Sequence, residues 1–180
     1  MAKKDDPLDS KYGSQFRKHF EEIDELALAI LKSHLIMESA IDNIIGLIFF
    51  HPDLVLDSRI SFFVKVQMVR AYALHESEMT IWKLVLAISE LRNEIAHSLE
   101  GKKREKRLAA VRNLYLAEAP DFAETHKDYP DQLIVILASS LCSGFLGEME
   151  KDLTTLRRHV DALGACSVPK GKDGKLLKTT

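Results

Sequence analysis

The sequence is poor in cysteine, glycine and proline, and each shortage excludes a class of fold. Among its 180 residues there are eight glycines and five prolines, too few for the many tight turns of an all-β protein. The two cysteines, Cys142 and Cys166, are too few for a disulfide framework and lack the spacing of zinc ligands. This usage fits a reducing compartment, so we expect a cytoplasmic protein. Gly-rich phosphate-binding loops are also missing, and we expect neither a metal nor a cofactor.

An excess of either charge is also missing. Lysine and arginine number 25 against 27 aspartates and glutamates, which gives a formal net charge of −2. This balance excludes a uniformly basic surface that coats nucleic acid, but it leaves room for a local basic patch.

A targeting or membrane segment is not evident either. Behind the basic residues of the N-terminus there is no apolar stretch of the kind found in signal peptides. The most apolar window, 133–146, is shorter than the roughly 20 apolar residues that cross a bilayer. We therefore expect no association with a membrane.

What the sequence does contain is a set of long blocks with helical periodicity. In 14–50, apolar residues recur in alternating steps of three and four, which predicts one long helix or two nearly collinear helices ended by Pro52. Asp57 or Ser58 can cap a second helix that reaches about Leu74. Further helices are predicted at 80–99, closed by Gly101, at 103–119 and at 131–163.

These blocks predict the fold class and the domain boundaries. No internal repeat and no alternating strand pattern of any length is present. The predicted fold class is therefore all-α, an up-and-down bundle of four to five helices. We place this single domain at 14–164, between a flexible N-terminal tail at 1–13 and a flexible, Lys-rich C-terminal tail at 165–180.

The predicted helix at 80–99 has two distinct sides. Its core side carries an apolar stripe formed by Leu84, Ile88, Leu91, Ile95 and Leu99. The roughly opposite side is apolar and then polar, in the order Trp82, Leu86, Glu90, Asn93 and His97. Two such sides predict one face within the bundle and one face against a partner chain. Arg92 flanks the polar end and can turn its long side chain toward it.

The segment Arg92-Asn93-Glu94-Ile95-Ala96-His97 lies late in this helix. It resembles the Arg-x-x-x-x-His signature of the HEPN superfamily, in which the residue after the arginine is usually polar and often asparagine. The block 58–99, with a long helix before it, is similar to the two-helix core of that family. The resemblance covers 16–163 as architecture and these six residues as a motif, and it implies a HEPN-like bundle.

The resemblance implies metal-independent cleavage of RNA by a homodimer, with two copies of the motif facing each other. In that scheme His97 assists proton transfer at the ribose 2′-hydroxyl, because imidazole titrates near neutral pH. Arg92 holds the scissile phosphate and stabilises its developing charge. Asn93, one turn before His97, orients the imidazole or binds the phosphate. The family also implies a toxin or defence effector under the control of an antitoxin or other regulatory protein.

A non-catalytic role is the alternative interpretation of the same residues. Arg92 can simply pair with a carboxylate, and His97 can occupy a helix C-terminus, where a cation is favoured. Proteins that resemble the family include non-catalytic regulators, among them a mannitol-repressor-like group. Glu90 and Glu94 lie beside the motif, and their carboxylates repel RNA phosphates.

A basic segment begins five residues after the motif. Its candidate RNA-binding residues are Lys102, Lys103, Arg104, Lys106 and Arg107. These cations can guide an RNA backbone to the motif, since phosphate contacts supply most non-specific affinity. The segment equally fits a solvated helix start, and no interleaved aromatic residues suggest base stacking.

Three polar residues follow one another at steps of four along the first long block. His34, Glu38 and Asp42 fit either a metal site or a polar cluster near the centre of the bundle. A ferritin-like diiron centre needs Glu-x-x-His on two helices, and this chain has one such motif, at 94–97. We therefore expect His34 to be a hydrogen-bonded core histidine.

Small residues are concentrated at 139–147 in the last predicted helix. They favour close helix approach, either within the bundle or at a dimer seam. A nucleophilic serine or cysteine is not expected there, because no base is visible near it.

Overall fold

A computed structural model describes Ser10 and residues 24–73, 79–97 and 101–167. In these ranges the chain is helical and contains no strand. The elements are α1 (Glu25–Ile48), α2 (Asp53–Leu56), α3 (Phe62–Tyr72), α4 (Ile81–His97), α5 (Gly101–Glu118), a 3-10 turn (Pro120–Phe122), α6 (Ala123–His126) and α7 (Asp131–Ser167). The prediction of an all-α helical bundle is confirmed. The predicted N-terminal tail lies outside the described residues except for Ser10, as do 14–23 at the predicted start of the domain and 168–180 of the C-terminal tail.

Helix α1 begins at Glu25 because Asp24 caps it. The Asp24 carboxylate accepts a hydrogen bond from the backbone N–H of Ala27 at 2.9 Å, and its own backbone is not helical. A side-chain oxygen that satisfies a free N–H in this way starts a helix rather than continuing one. Of the two alternatives predicted for 14–50, one uninterrupted helix is therefore wrong, and the alternative of two nearly collinear helices falls on 14–23, which lie outside the described residues. The predicted end before Pro52 is confirmed, since α1 stops at Ile48.

The connection from α1 to α3 differs from the prediction in its capping residue. The predicted cap at Asp57 or Ser58 is wrong, because α3 begins only at Phe62; the Ser58 hydroxyl instead donates backward to the Val55 carbonyl at 2.5 Å. Ser61 instead caps α3, and its Oγ accepts a hydrogen bond from the Val64 N–H at 3.4 Å. Between α1 and α3, Asp53–Leu56 form the single turn of α2, which follows Pro52.

Helices α4 and α5 lie close to their predicted ranges. Helix α4 ends at His97, and residues 98–100, including Leu99, are outside the described part. Gly101 is the first residue of α5, although we predicted that it closes the preceding helix. Helix α7 continues to Ser167, about a turn beyond the predicted end and into the predicted C-terminal tail.

The hydrophobic core joins α1, α3, α4, α5 and α7. Leu84, Ile88 and Leu91 of the predicted α4 stripe are fully buried, and Ile95 is partly buried against them, so this part of the stripe is confirmed. The same core cluster includes Met37 of α1, which is also fully buried. Burial of a side chain of this size stabilises the fold by about 1.5–3 kcal/mol.

Trp82 belongs to the same core and does not face a partner chain. Its side chain is 1% exposed, and its ring meets the Phe145 ring of α7 edge-on, with 5.0 Å between centroids. The prediction that Trp82 contacts a partner is therefore wrong, because α7 covers this side of α4. Only the polar end of that side, at Glu90, Asn93 and His97, is exposed.

Helix α7 is the one helix in the described ranges that could cross a membrane by length and composition alone, over Asp131–Leu163. The core helix of a soluble bundle passes the same test, and this helix contributes Ile134, Cys142 and Leu146 to the core. Its most extensive packing is against α1. The length test is therefore weak evidence for a membrane segment.

The small residues of α7 were predicted to allow close helix approach within the bundle or at a dimer seam. A Cβ atom placed on Gly144 or Gly147 would meet nothing within 4 Å, so close approach within the bundle does not explain these two glycines. Ser139, in contrast, is buried, and its hydroxyl donates to the Val135 carbonyl at 2.7 Å. The interpretation of this face as a dimer seam stays a prediction.

Candidate functional site

The RNEIAH motif occupies the last turns of α4. Arg92 is half-buried, whereas Asn93 and His97 are exposed. The Arg92 guanidinium donates a hydrogen bond from Nη1 to Asn93 Oδ1 at 3.1 Å. It is thus turned toward the polar side of the helix, which is the orientation that the sequence allowed. His97, the final residue of α4, lies one turn beyond Asn93 on roughly the same side.

A cleft of about 390 Å³ opens beside the motif between α1, α3 and α4. Its lining consists of His34, Glu38, Ser61, Phe62, Phe63, Leu86, Ser89, Glu90, Arg92 and Asn93. Two of the three predicted catalytic residues, Arg92 and Asn93, are therefore brought to one cleft. His97 is not part of this lining and lies on the exposed surface at the end of the helix.

His34 is the buried titratable group of the cleft. Its Nε2 lies 3.3 Å from the Ser89 hydroxyl, within hydrogen-bond distance, and its ring centroid is 4.6 Å from that of Phe62. The prediction of a hydrogen-bonded core histidine is confirmed by this contact. Burial lowers the pKa of His34, the positive charge of Arg92 lowers it further, and Glu38 opposes both effects. The imidazole is thus neutral at physiological pH.

The predicted polar cluster on α1 is organised by a lysine. Lys65 of α3 is buried, and its Nζ lies 2.9 Å from Asp42 Oδ2 and 3.5 Å from Glu38 Oε1. Burial alone would lower the pKa of Lys65, but the two carboxylates outweigh burial and raise it. In the described ranges no three His, Cys, Asp or Glu side chains gather as metal ligands. Of the two interpretations of this spacing, the contacts match the polar cluster.

Two cations of the predicted basic segment are engaged by carboxylates. Arg104 donates two hydrogen bonds to Asp24, at 2.6 and 3.0 Å, and this contact is the main reason that the pKa of Asp24 is lowered. Arg107 donates from Nη1 to Glu90 Oε2. Lys103 and Lys106 are exposed on α5, and the side chain of Lys102 lies outside the described part.

The charges around the cleft are unevenly compensated as a result. Glu38 lies near Lys65, and Glu90 pairs with Arg107, so both carboxylates of the lining have a cation partner. Arg92 makes its hydrogen bond to the neutral amide of Asn93, and no carboxylate in the described part of the chain pairs with it. Its guanidinium is therefore available to an anion. The repulsion expected from Glu90 is reduced by Arg107.

Other reactive side chains lie in structural roles. Cys142 is fully buried, and burial raises the pKa of its thiol to about 12, so a nucleophilic thiolate is not formed at neutral pH. Arg112 donates to the Lys127 and Tyr129 carbonyls and to the Asp131 carboxylate, which ties α5 to the start of α7.

Sequence reasoning missed four contributors to the cleft. Ser89, Phe62, Phe63 and the supporting Lys65 belong to no motif, and only the fold brings them to His34 and Arg92. The helical pattern gave one usable signal, since Ser89 lies three residues before Arg92 and therefore near the same side of α4.

No protein-family model, no curated protein and no solved structure matches this chain.

Proposed function

We propose that this chain is a HEPN-like, metal-independent endoribonuclease that acts as a homodimer. The observation that carries this proposal is the end of α4, where Arg92 is free of carboxylate partners in the described structure and adjoins Asn93 at a polar cleft. His97 is exposed one turn further along, where it is accessible to a large polymeric substrate. The resemblance of the RNEIAH segment to the HEPN signature supports the same chemistry.

The reaction that suits these residues is internal transesterification. The ribose 2′-oxygen attacks phosphorus while a neutral His97 imidazole accepts its proton. The bond from phosphorus to the 5′-oxygen breaks, and the protonated imidazole of the second copy supplies a proton to that leaving oxygen. Arg92 stabilises the charge that develops on the phosphoryl oxygens. The products are a 2′,3′-cyclic phosphate and a 5′-hydroxyl end, and the reaction consumes no water and needs no metal.

In this proposal the biological role is that of a cytoplasmic toxin or defence effector controlled by an antitoxin or other regulatory protein. A surface for protein association is available on α1, where Leu28, Leu31 and Leu35 recur at helical spacing and are exposed. Exposed apolar side chains that form a contiguous patch are typical of interaction surfaces. The role itself rests on the family resemblance.

A non-catalytic HEPN-like regulatory or interaction module, mannitol-repressor-like, is the second candidate. It is favoured by the pairing of Arg104 with Asp24 and of Arg107 with Glu90. These pairs reduce the positive charge that could hold an RNA backbone near the motif, and backbone contacts dominate affinity for nucleic acid.

One assay separates the two candidates. The full chain is incubated with mixed RNA in the presence of EDTA, beside Arg92→Ala and His97→Ala. Matched controls are Arg158→Ala and His159→Ala, which change exposed residues of α7 far along the chain from the motif. The proposal predicts cleavage by the wild type and by both controls, and a loss of at least about 100-fold in each motif variant.

Two results would contradict the proposal. Cleavage that persists unchanged in Arg92→Ala and His97→Ala would remove the assigned site, and an inactive wild type would favour the regulatory module. Sedimentation at micromolar concentration tests the dimer separately. A monomer there would remove the composite site formed by two copies.

A further inference from the structure

The cleft beside the motif is lined by side chains that have no role in the proposed cleavage chemistry. His97 lies outside it, yet His34 and Ser89 are in contact at 3.3 Å within it, and two phenylalanines form part of its wall. Phe62 packs against the His34 ring, while the Phe63 side chain is 56% exposed. The cleft thus combines neutral polar groups with an exposed aromatic ring.

The charges of the lining favour a ligand with a single anionic group. Glu38 shares Lys65 with the nearer carboxylate of Asp42, and Glu90 is paired with Arg107, so both acids of the lining face a cation from outside the cleft. Arg92 contributes the remaining positive charge, and a guanidinium binds phosphate oxygens through two parallel N–H groups. Its present partner is the Asn93 carbonyl oxygen, and within the described part of the chain the Asn93 amide N–H groups have no acceptor, so they can donate to a ligand.

The size of the cleft limits the ligand further. A volume of about 390 Å³ lies near the lower end of the range of about 300–1,000 Å³ for small-ligand pockets. One nucleotide is of this size, whereas an RNA helix is far too large. Single-stranded bases bind proteins by stacking on aromatic rings, and Phe63 offers such a ring.

We propose that this cleft binds one nucleotide of a single-stranded RNA, with a phosphate on Arg92 and the base against Phe63. Asn93 and Ser89 then offer hydrogen bonds to the polar edge of the base. This inference deepens the proposed function and rests on it, because it assigns the substrate subsite next to the cleaved bond. It predicts that the enzyme prefers unpaired RNA, since a paired base cannot enter the cleft.

The test is a titration of the ¹⁵N-labelled full chain with each of the four ribonucleoside 5′-monophosphates and, separately, with inorganic phosphate, followed by NMR. We expect saturable shifts at residues of the cleft for at least one nucleotide, and at least about fivefold weaker binding of inorganic phosphate. Phe63→Ala should weaken nucleotide binding about fivefold or more. The matched control is Phe122→Ala, which removes a ring of nearly equal exposure, 57%, on another surface.

The binding experiment tests the nucleotide subsite independently of the cleavage assay. No saturable shift up to millimolar nucleotide, an unchanged affinity in Phe63→Ala, or equal affinity for inorganic phosphate would overturn the inference. RNA cleavage together with any of these results would support the proposed ribonuclease and contradict the nucleotide subsite. Nucleotide binding with the expected pattern, but without RNA cleavage, would support the cleft and contradict the ribonuclease.

Discussion

Replacing Trp82 with alanine distinguishes a core position from a partner contact. The Trp82 side chain is 1% exposed, and its ring packs edge-on against Phe145 at 5.0 Å. Truncation of a buried tryptophan costs about 3–5 kcal/mol in free energy of unfolding, because burial is lost and a cavity remains. Loss of the aromatic pair, about 0.5–1.5 kcal/mol, favours the upper part of that range. This is a large share of the roughly 5–15 kcal/mol that stabilises a typical domain.

The assay is urea unfolding followed by far-UV circular dichroism, since the substitution removes the single tryptophan and with it the fluorescence probe. With a slope of about 2 kcal/mol per molar urea, the midpoint should fall by roughly 1.5–2.5 M. Phe63→Ala, on the exposed wall of the cleft, should shift it far less. A decrease in the free energy of unfolding below about 1 kcal/mol in Trp82→Ala, accompanied by weaker self-association, would contradict the core position and favour a contact of Trp82 with a partner chain.

Three further substitutions test the surroundings of the cleft by the same unfolding measurement. Lys65→Met leaves the Asp42 and Glu38 carboxylates without their cation. Because these side chains are 34% and 35% exposed, we expect the free energy of unfolding to decrease by only about 1–3 kcal/mol. An unchanged free energy of unfolding would contradict the polar cluster. Ser61→Ala removes the cap of α3 and should cost about 0.5–1 kcal/mol, whereas an unchanged midpoint would show that its 3.4 Å bond contributes nothing. His34→Gln tests the lowered pKa of His34. As the pH decreases below about 6.5, the unfolded wild type binds more protons than the folded wild type, so the wild type should lose stability relative to the variant. Parallel stability profiles of the two proteins over this pH range would contradict the lowered pKa.

The helices could be predicted from the sequence because their signals are local. Apolar periodicity identified the buried stripe of α4, including Leu84 and Leu91, and prolines marked the ends of blocks. The capping residues were harder to predict, since Asp57, Ser58 and Ser61 are all competent caps. In the structure Ser61 is the cap, and the Ser58 hydroxyl instead donates to the Val55 carbonyl of the preceding turn.

The candidate site could be predicted only where one helix carries it. Arg92 and Asn93 are adjacent in α4, and their common location follows from the motif alone. The pairing of Arg104 with Asp24 joins residues 80 positions apart, and the contact of His34 with Ser89 joins residues 55 apart. Such contacts depend on how the helices pack, so neither helical periodicity nor composition could predict them.

The most direct test of the proposed ribonuclease is the role of the substrate 2′-hydroxyl. An RNA oligonucleotide that the wild type cleaves in EDTA is compared with the same oligonucleotide carrying a single 2′-deoxyribose at the cleaved position, and the product ends are identified by mass spectrometry. If His97 and Arg92 catalyse attack by the 2′-oxygen, the RNA gives a 2′,3′-cyclic phosphate and a 5′-hydroxyl, and the deoxy-substituted strand stays intact at that position. Cleavage of the deoxy-substituted strand at the same position, or products with 3′-hydroxyl and 5′-phosphate ends, would contradict the proposed mechanism.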